Sequence, residues 1–86
     1  MELVGKIKVI GKTETFGAKG FQKRQLVIET QEQYKQNIPI DFVQDKTGLL
    51  DSFSVGQSVK ISINVRGNEN AGRYYLSLSG WKIEQA

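Results

Sequence analysis

Apolar residues alternate with polar or charged ones along most of the chain, the period-two signature of half-buried β-strands. In residues 2–16, ELVGKIKVIGKTETF, one face carries Leu3, Gly5, Ile7 and Val9. The other carries Lys6, Lys8 and Lys12, interrupted by Val4 and Ile10. A second face that is half apolar predicts a long strand shared by two sheet halves. Gly5 and Gly11 within it predict a bulge or a sharp bend. Gly17-Ala18-Lys19-Gly20 reads as a turn, with two glycines able to take positive φ. Residues 21–31, FQKRQLVIETQ, form a second strand with Leu26 and Ile28 inward, and residues 35–43 a third with Ile38, Ile40 and Phe42 on one face. Pro39 lies on the opposite face, where its missing N–H predicts an edge or an interrupted ladder.

The pattern then changes. In residues 44–54, QDKTGLLDSFS, Leu49, Leu50 and Phe53 are spaced for one short helix closing a barrel end, and Gly48 argues against a long one. After a turn at 55–57, residues 58–66 alternate most cleanly, with Val59, Ile61, Ile63 and Val65 inward and Lys60, Ser62, Asn64 and Arg66 outward. Residues 67–72 read as a polar hairpin loop. The last strand, 73–84, puts Leu76 and Leu78 on one face, and Gly80 resets its phase near Trp81. The order β-β-β-(short helix)-β-β is that of the OB-fold, an all-β, five-stranded Greek-key barrel that binds oligonucleotides or oligosaccharides. An SH3-like barrel is the competing architecture, but it lacks a helix of this length at this place.

Composition narrows the chemistry. With 86 residues and 9.7 kDa, the chain is expected to be a single domain spanning 1–86. It has no cysteine and no histidine, so disulfides, thiolate zinc sites and imidazole-based catalysis are excluded. No metal and no cofactor are expected. No apolar run approaches the roughly 20 residues of a membrane helix, and the first residues do not form a signal peptide. A cytoplasmic protein without membrane contact is therefore expected. The net charge is +3, and seven of the cations fall in the first 35 residues against four acids. That skew favours an anionic partner.

The stretches MELVGKIKVI, TFGAKGFQKRQLVIET, NIPIDFVQDKTGLLDSFSVGQSVKISINVRG and YYLSLSGWKIE resemble a family of short bacterial and phage OB-fold proteins, itself similar to single-stranded DNA-binding proteins. The most specific segments are FVQDK at 42–46, VGQSVK at 55–60 and GWKIE at 80–84. The resemblance implies binding of single-stranded DNA in replication, recombination or repair, by a homodimer or homotetramer. Two features depart from the larger single-stranded DNA-binding proteins. The loop at 67–72 is short and carries no aromatic residue, and the chain stops at Ala86 without a Gly/Pro-rich linker and acidic tip. In this it resembles primosomal replication protein B, a tail-less OB-fold dimer, and recruitment of partners through an acidic tail is not expected.

Sequence-tolerant binding of single strands needs cations for phosphates and aromatic faces for bases. Phe16 and Phe21 flank the 17–20 turn, with Lys19 between them, Lys12 before and Lys23 and Arg24 after. Both phenylalanines have a competing role as caps of the barrel. Tyr34 and Lys35 are placed at the start of the third strand beside that turn. Tyr34 stands among glutamines and a glutamate, which predicts an exposed ring, and the resemblance implies that this region supplies a stacking aromatic. Arg66 and Arg73 bracket the 67–72 loop, either as phosphate clamps or as solvated strand ends. Tyr75, opposite Leu76 and Leu78, is a stacking candidate, whereas Tyr74 is assigned to the core with Phe42 and Phe53. Trp81 is a stacking platform or an interface anchor. Lys60 and Lys82 read as solvated sheet face.

Catalysis is not expected. A two-metal nuclease needs several carboxylates converging, and Glu29, Glu32, Asp41, Asp45 and Asp51 are the only cluster in sequence. Asp45 is placed instead to cap the helix. The second function class is an OB-fold protein-interaction module whose contact surface would be Trp81, Val4 and Ile10. RNA binding is a variant that the sequence does not separate from DNA. A shared basic face for the aromatics at 16, 21, 34 and 75 would favour nucleic acid.

Overall fold

Nine apolar side chains leave water almost completely, and their parity along the chain sets the architecture: Ile7, Leu26, Ile28, Ile40, Phe42, Leu50, Val59, Ile61 and Ile63. The computed structural model describes residues 1–86. Its elements are β1 (Glu2–Ile10), β2 (Glu14–Phe16), β3 (Phe21–Glu29), β4 (Asn37–Val43), a 3-10 helix (Gln44–Ser52), β5 (Ser58–Asn70) and β6 (Arg73–Gln85). β1 pairs antiparallel with β5 through Glu2–Lys6 and with β3 through Lys6–Ile10, so one strand serves two sheet halves. β3 pairs with β4, and β5 with β6, both antiparallel. A single parallel bridge, Asp41 to Ser79, joins β4 to β6 and closes the ring. With β1 and β2 counted as one interrupted strand, this is the five-stranded OB-fold barrel that the element order predicts.

Two bulges account for departures from simple alternation. In β1 the register shifts between Ile7 and Val9, leaving Lys8 as the extra residue. The phase therefore reverses: Ile10, expected outward, packs against the core, and Val9, expected inward, is exposed. In β6, Ser62 faces Lys82 and Ile63 faces Gly80, so Trp81 is the extra residue and stands half-exposed. Gly80 is required by packing, because a Cβ there would overlap the Phe42 ring. The buried face thus passes through Gly80 and resumes at Ile83, which packs against the core.

The 44–52 segment is helical as expected, but as a 3-10 helix, with the Phe53 N–H donating to the Leu50 carbonyl at 3.2 Å. Leu50 is its buried plug, Phe53 is half-buried against the core rather than within it, and Leu49 is exposed. Asp45 does not cap the helix. The capping position is Val43, which has no side-chain cap, and the Thr47 hydroxyl donates to the Gln44 carbonyl at 2.9 Å instead.

The largest difference from expectation is the hairpin. Residues 67–70 are strand, paired up to Asn70 with Arg73, and the connection is only Ala71-Gly72, both at positive φ. This is the type I′ geometry that matches strand twist. The β5–β6 pair therefore continues as a ribbon beyond the barrel. Val65 and Tyr74, both assigned to the core, are exposed there, Tyr74 at 80%, together with Leu76 at 73%. No helix is long and apolar enough to cross a membrane.

Candidate nucleic-acid interface

The outward parity of β3 presents Phe21, Lys23 and Gln25, and that of β4 presents Pro39, Asp41 and Val43. Phe16 on β2 lies directly across from Phe21, and Glu14 across from Lys23. Directly opposed residues share a face with Cβ atoms about 5 Å apart, so the two rings form one aromatic pair at the barrel rim. Neither caps the core; both are more than two-fifths exposed. The Gly17–Gly20 turn between them has both glycines at positive φ and carries Lys19 at its exposed tip.

Beside this pair runs a groove of about 340 Å³ lined by Phe21, Lys23, Asp41, Val43, Arg66, Ser77, Leu78 and Ser79. It crosses the β4–β6 seam, so one wall belongs to β3–β4 and the other to the β5–β6 ribbon. An adjoining hollow of about 290 Å³ continues along Gln25, Pro39, Asp41, Leu76, Ser77 and Leu78. On the other side of Lys23, a third hollow holds Lys12, Glu14, Phe16 and Gln25. Lys12, Phe16, Phe21, Lys23 and Arg66 are thus brought onto one continuous surface.

The ribbon extends that surface. Arg66 faces Ser77, Asn68 faces Tyr75, and Asn70 faces Arg73, so by parity Tyr75 and Arg73 share the face of Arg66. Arg73 lies at the tip, four residues or roughly 13 Å along β5 from Arg66, so the two arginines follow one track rather than bracket a loop. Lys12, Lys19, Arg66 and Arg73 make no ion pair, whereas Lys23 lies 3.4 Å from Asp41. Unpaired cations around an open aromatic groove attract polyanions without having to break an internal contact first.

Three expected members stand apart. Arg24 has the inward parity of Leu26; its guanidinium donates to the Gly11 carbonyl at 2.8 Å, the Thr47 carbonyl at 3.2 Å and Asp51 Oδ1 at 2.7 Å. It fastens the helix to β1 and β3 and is not in the groove. Tyr34 and Lys35 do not begin a strand; they lie in the connection between β3 and β4, at the end of β3 opposite Phe21, roughly 25 Å away. The connection is pinned by the Thr30 N–H donating to the Gln36 carbonyl and the Gln36 N–H donating to Thr30 Oγ1, both at 2.9 Å. Tyr34 is 78% exposed, as anticipated, and Lys35 pairs with Glu29 at 3.7 Å, as does Lys8. Of the four aromatics, Phe16 and Phe21 share the basic groove, Tyr75 joins it through the ribbon, and Tyr34 does not. No three acidic side chains gather into a group that could hold a metal ion.

A family model described as "Domain of unknown function (DUF3127)" matches residues 2–84. The chain belongs to the DUF3127 family. No curated protein matches its sequence. Among solved structures, this DUF3127 chain is similar to the mitochondrial single-stranded DNA binding protein Rim1 of S. cerevisiae, with a TM-score of 0.82 at 20% identity, covering 99% of this chain and 91% of that one. It is also similar to the second single-stranded DNA binding protein (SSBb) of Mycobacterium smegmatis, with a TM-score of 0.72 at 13% identity over 100% and 84% of the two chains. The small single-stranded DNA-binding protein of Streptomyces coelicolor gives 0.59 at 15% identity, covering 100% and 92%. At these identities the likeness establishes the OB-fold.

Gln25, Val43 and Ser77 of the groove lining in this DUF3127 domain carry no binding signal in the sequence, Asp41 stands out there only as one of several carboxylates, and Leu78 only as an apolar strand position. A signal for the position of part of that lining was present. Pro39, Asp41 and Val43 alternate with Ile38, Ile40 and Phe42, so the outward set follows once the inward set is known.

Proposed function

We propose that this DUF3127 domain is a single-stranded DNA-binding protein, not an enzyme, which takes up the strand largely without regard to sequence during replication, recombination or repair. The observation that carries the reading is the Phe16–Phe21 pair beside the groove, with Lys12, Lys19, Arg66 and Arg73 around it free of acidic partners. Bases stack on the rings and phosphates follow the cations, as in other OB-fold binders of single strands. The similarity in fold to three single-stranded DNA-binding proteins supports the same reading. Tyr75 and Arg73 extend the path along the ribbon, and Tyr34 with Lys35 is a separate contact point for a longer strand. The domain works in the cytoplasm.

Fluorescence anisotropy of labelled dT oligomers, titrated at low and physiological salt beside matched RNA and duplex, tests this. Binding should tighten with oligomer length, exceed duplex binding and weaken steeply with salt. Phe21→Ala should cost about 1–3 kcal/mol of binding without unfolding the barrel. Equal affinity for duplex, or an unchanged affinity in Phe21→Ala, would reject the groove. RNA binding as tight as DNA would make the domain a general single-strand binder.

A second reading, as a protein-interaction module, is favoured by a different surface from the one expected. Ile10 is packed inward, which removes it from the Trp81–Val4 patch. The ribbon face opposite Arg66 and Tyr75 carries Val65, Tyr74 and Leu76, all exposed, with Leu76 also bordering the hollow beside the groove. The occupant we assign to it is a second copy of the chain, which makes the protein a homo-oligomer with several grooves.

A further inference from the structure

We propose that Asp41 gives the groove a preference for bases that carry an exocyclic amino group, such as cytosine, over thymine or uracil. The inference rests on the single-strand reading above and names what the centre of that site selects. Asp41 sits where the groove and its adjoining hollow meet and lines both. Its Oδ2 is 3.4 Å from the Lys23 ammonium, while its Oδ1 is covered and has no hydrogen-bond partner. Such an acceptor is rare in a folded protein, because desolvating it without a donor is costly. Its place on the outward face of β4, beside Pro39, Val43 and Leu78, leaves the groove as the direction from which a donor arrives. The terminal torsion of an aspartate is soft, so a small turn of the carboxylate presents the free oxygen there while Lys23 holds the other.

The charge decides which part of a nucleotide meets it. A phosphate is repelled by the carboxylate and drawn to the unpaired cations Lys12 and Arg66 on either side. The base therefore turns toward Asp41, between apolar walls suited to its faces. An amino group such as cytosine N4 donates to a carboxylate, whereas the corresponding O4 of thymine or uracil is an acceptor and meets it as a repulsion. Most of the path remains indifferent to sequence; this one position is not.

The test is anisotropy with oligo(dC) and oligo(dU) of equal length, which differ in that donor and acceptor and not in a methyl group, on the wild-type chain and on Asp41→Asn. The wild type should bind oligo(dC) about tenfold more tightly than oligo(dU). In Asp41→Asn the amide offers either a donor or an acceptor, so the ratio should fall to about twofold or less. Both oligomers should also bind that variant more tightly, because Lys23 is released to phosphate. Equal wild-type affinities, or a ratio that survives in Asp41→Asn, would overturn the proposal. That result needs no variant to fold, since the wild-type ratio alone can supply it. Failure of both oligomers to bind at low salt would overturn the single-strand reading and this proposal with it, whereas binding without preference overturns this proposal alone.

Discussion

Lys23 and Arg24 are adjacent cations with opposite fates. Lys23 has the outward parity of Phe21 and lines the groove, whereas Arg24 has the parity of Leu26 and turns under the helix. Its side chain is only 16% exposed and spans three acceptors. Arg24→Ala should lower unfolding free energy in urea by about 2 kcal/mol, because it removes a part-buried guanidinium and the three hydrogen bonds by which it ties the helix to the sheet. The salt dependence of oligonucleotide binding should stay as in the wild type. A large change in that slope with unaltered stability would return Arg24 to the interface. The inward position of Arg24 was legible from alternation, since it precedes Leu26 by two residues and Ile28 by four. The cluster of basic residues around the turn pointed the other way, and charge alone does not say which side of a strand a cation takes. Asp41 was hidden for a related reason: a lone carboxylate in a basic groove contradicts net-charge reasoning, and only its place between two hollows shows its relevance.

Among the elements, the β5–β6 ribbon departs most from what its residues suggest. Gly67, Asn68, Glu69 and Asn70 have poor strand propensity and resemble a loop, yet they pair fully because both faces of a projecting ribbon meet solvent. The turn that permits this uses Ala71 at φ +52°, a conformation costly for a residue with a Cβ. Ala71→Asn, which supplies the favoured Asn-Gly pair, should stabilise the tip by about 1 kcal/mol. Amide exchange at Asn70 and Arg73 should slow accordingly, with little change in global unfolding. An unchanged exchange rate would mean that the tip is not held in this turn. The clean alternation of Val59, Ile61 and Ile63 was fully readable. The phase reset that Gly80 predicts near Trp81 was also readable, whereas the bulge at Lys8 was not, because it inserts one residue and reverses the phase without a residue type that marks it. Glycines gave only approximate warning: Gly11 lies after the first bulge, and Gly80 beside the second.

At the scale of the molecule, the barrel leaves two ribbon faces with different characters. One carries Arg66, Tyr75 and Arg73; the other carries Val65, Tyr74 and Leu76, with Glu69 as the only charge paired across it. An apolar stripe of this kind is suited to an isologous contact between copies. Sedimentation equilibrium should therefore give a mass above 9.7 kDa for the wild type, and Tyr74→Glu should return it to the monomer while leaving the barrel folded. A wild-type monomer at all concentrations would remove the self-association. The element order, and with it the fold, was readable from patterning, whereas this surface was not, because Tyr74 and Leu76 continue an inward phase past the point where the barrel ends. The same long-range closure governs how the chain must fold as it is made. Glu2 pairs with Ser62, and Gly5 with Val59, so the first strand synthesised waits for nearly the last one. At about 5–20 residues per second, that is a delay of seconds in which the Glu2–Lys6 half of β1, with Leu3 and Val4, stands unpaired, while Lys6–Ile10 already has β3 as partner. Glu2 and Lys6 then act as guards of an open edge, keeping nascent chains from joining one another before each can close on itself.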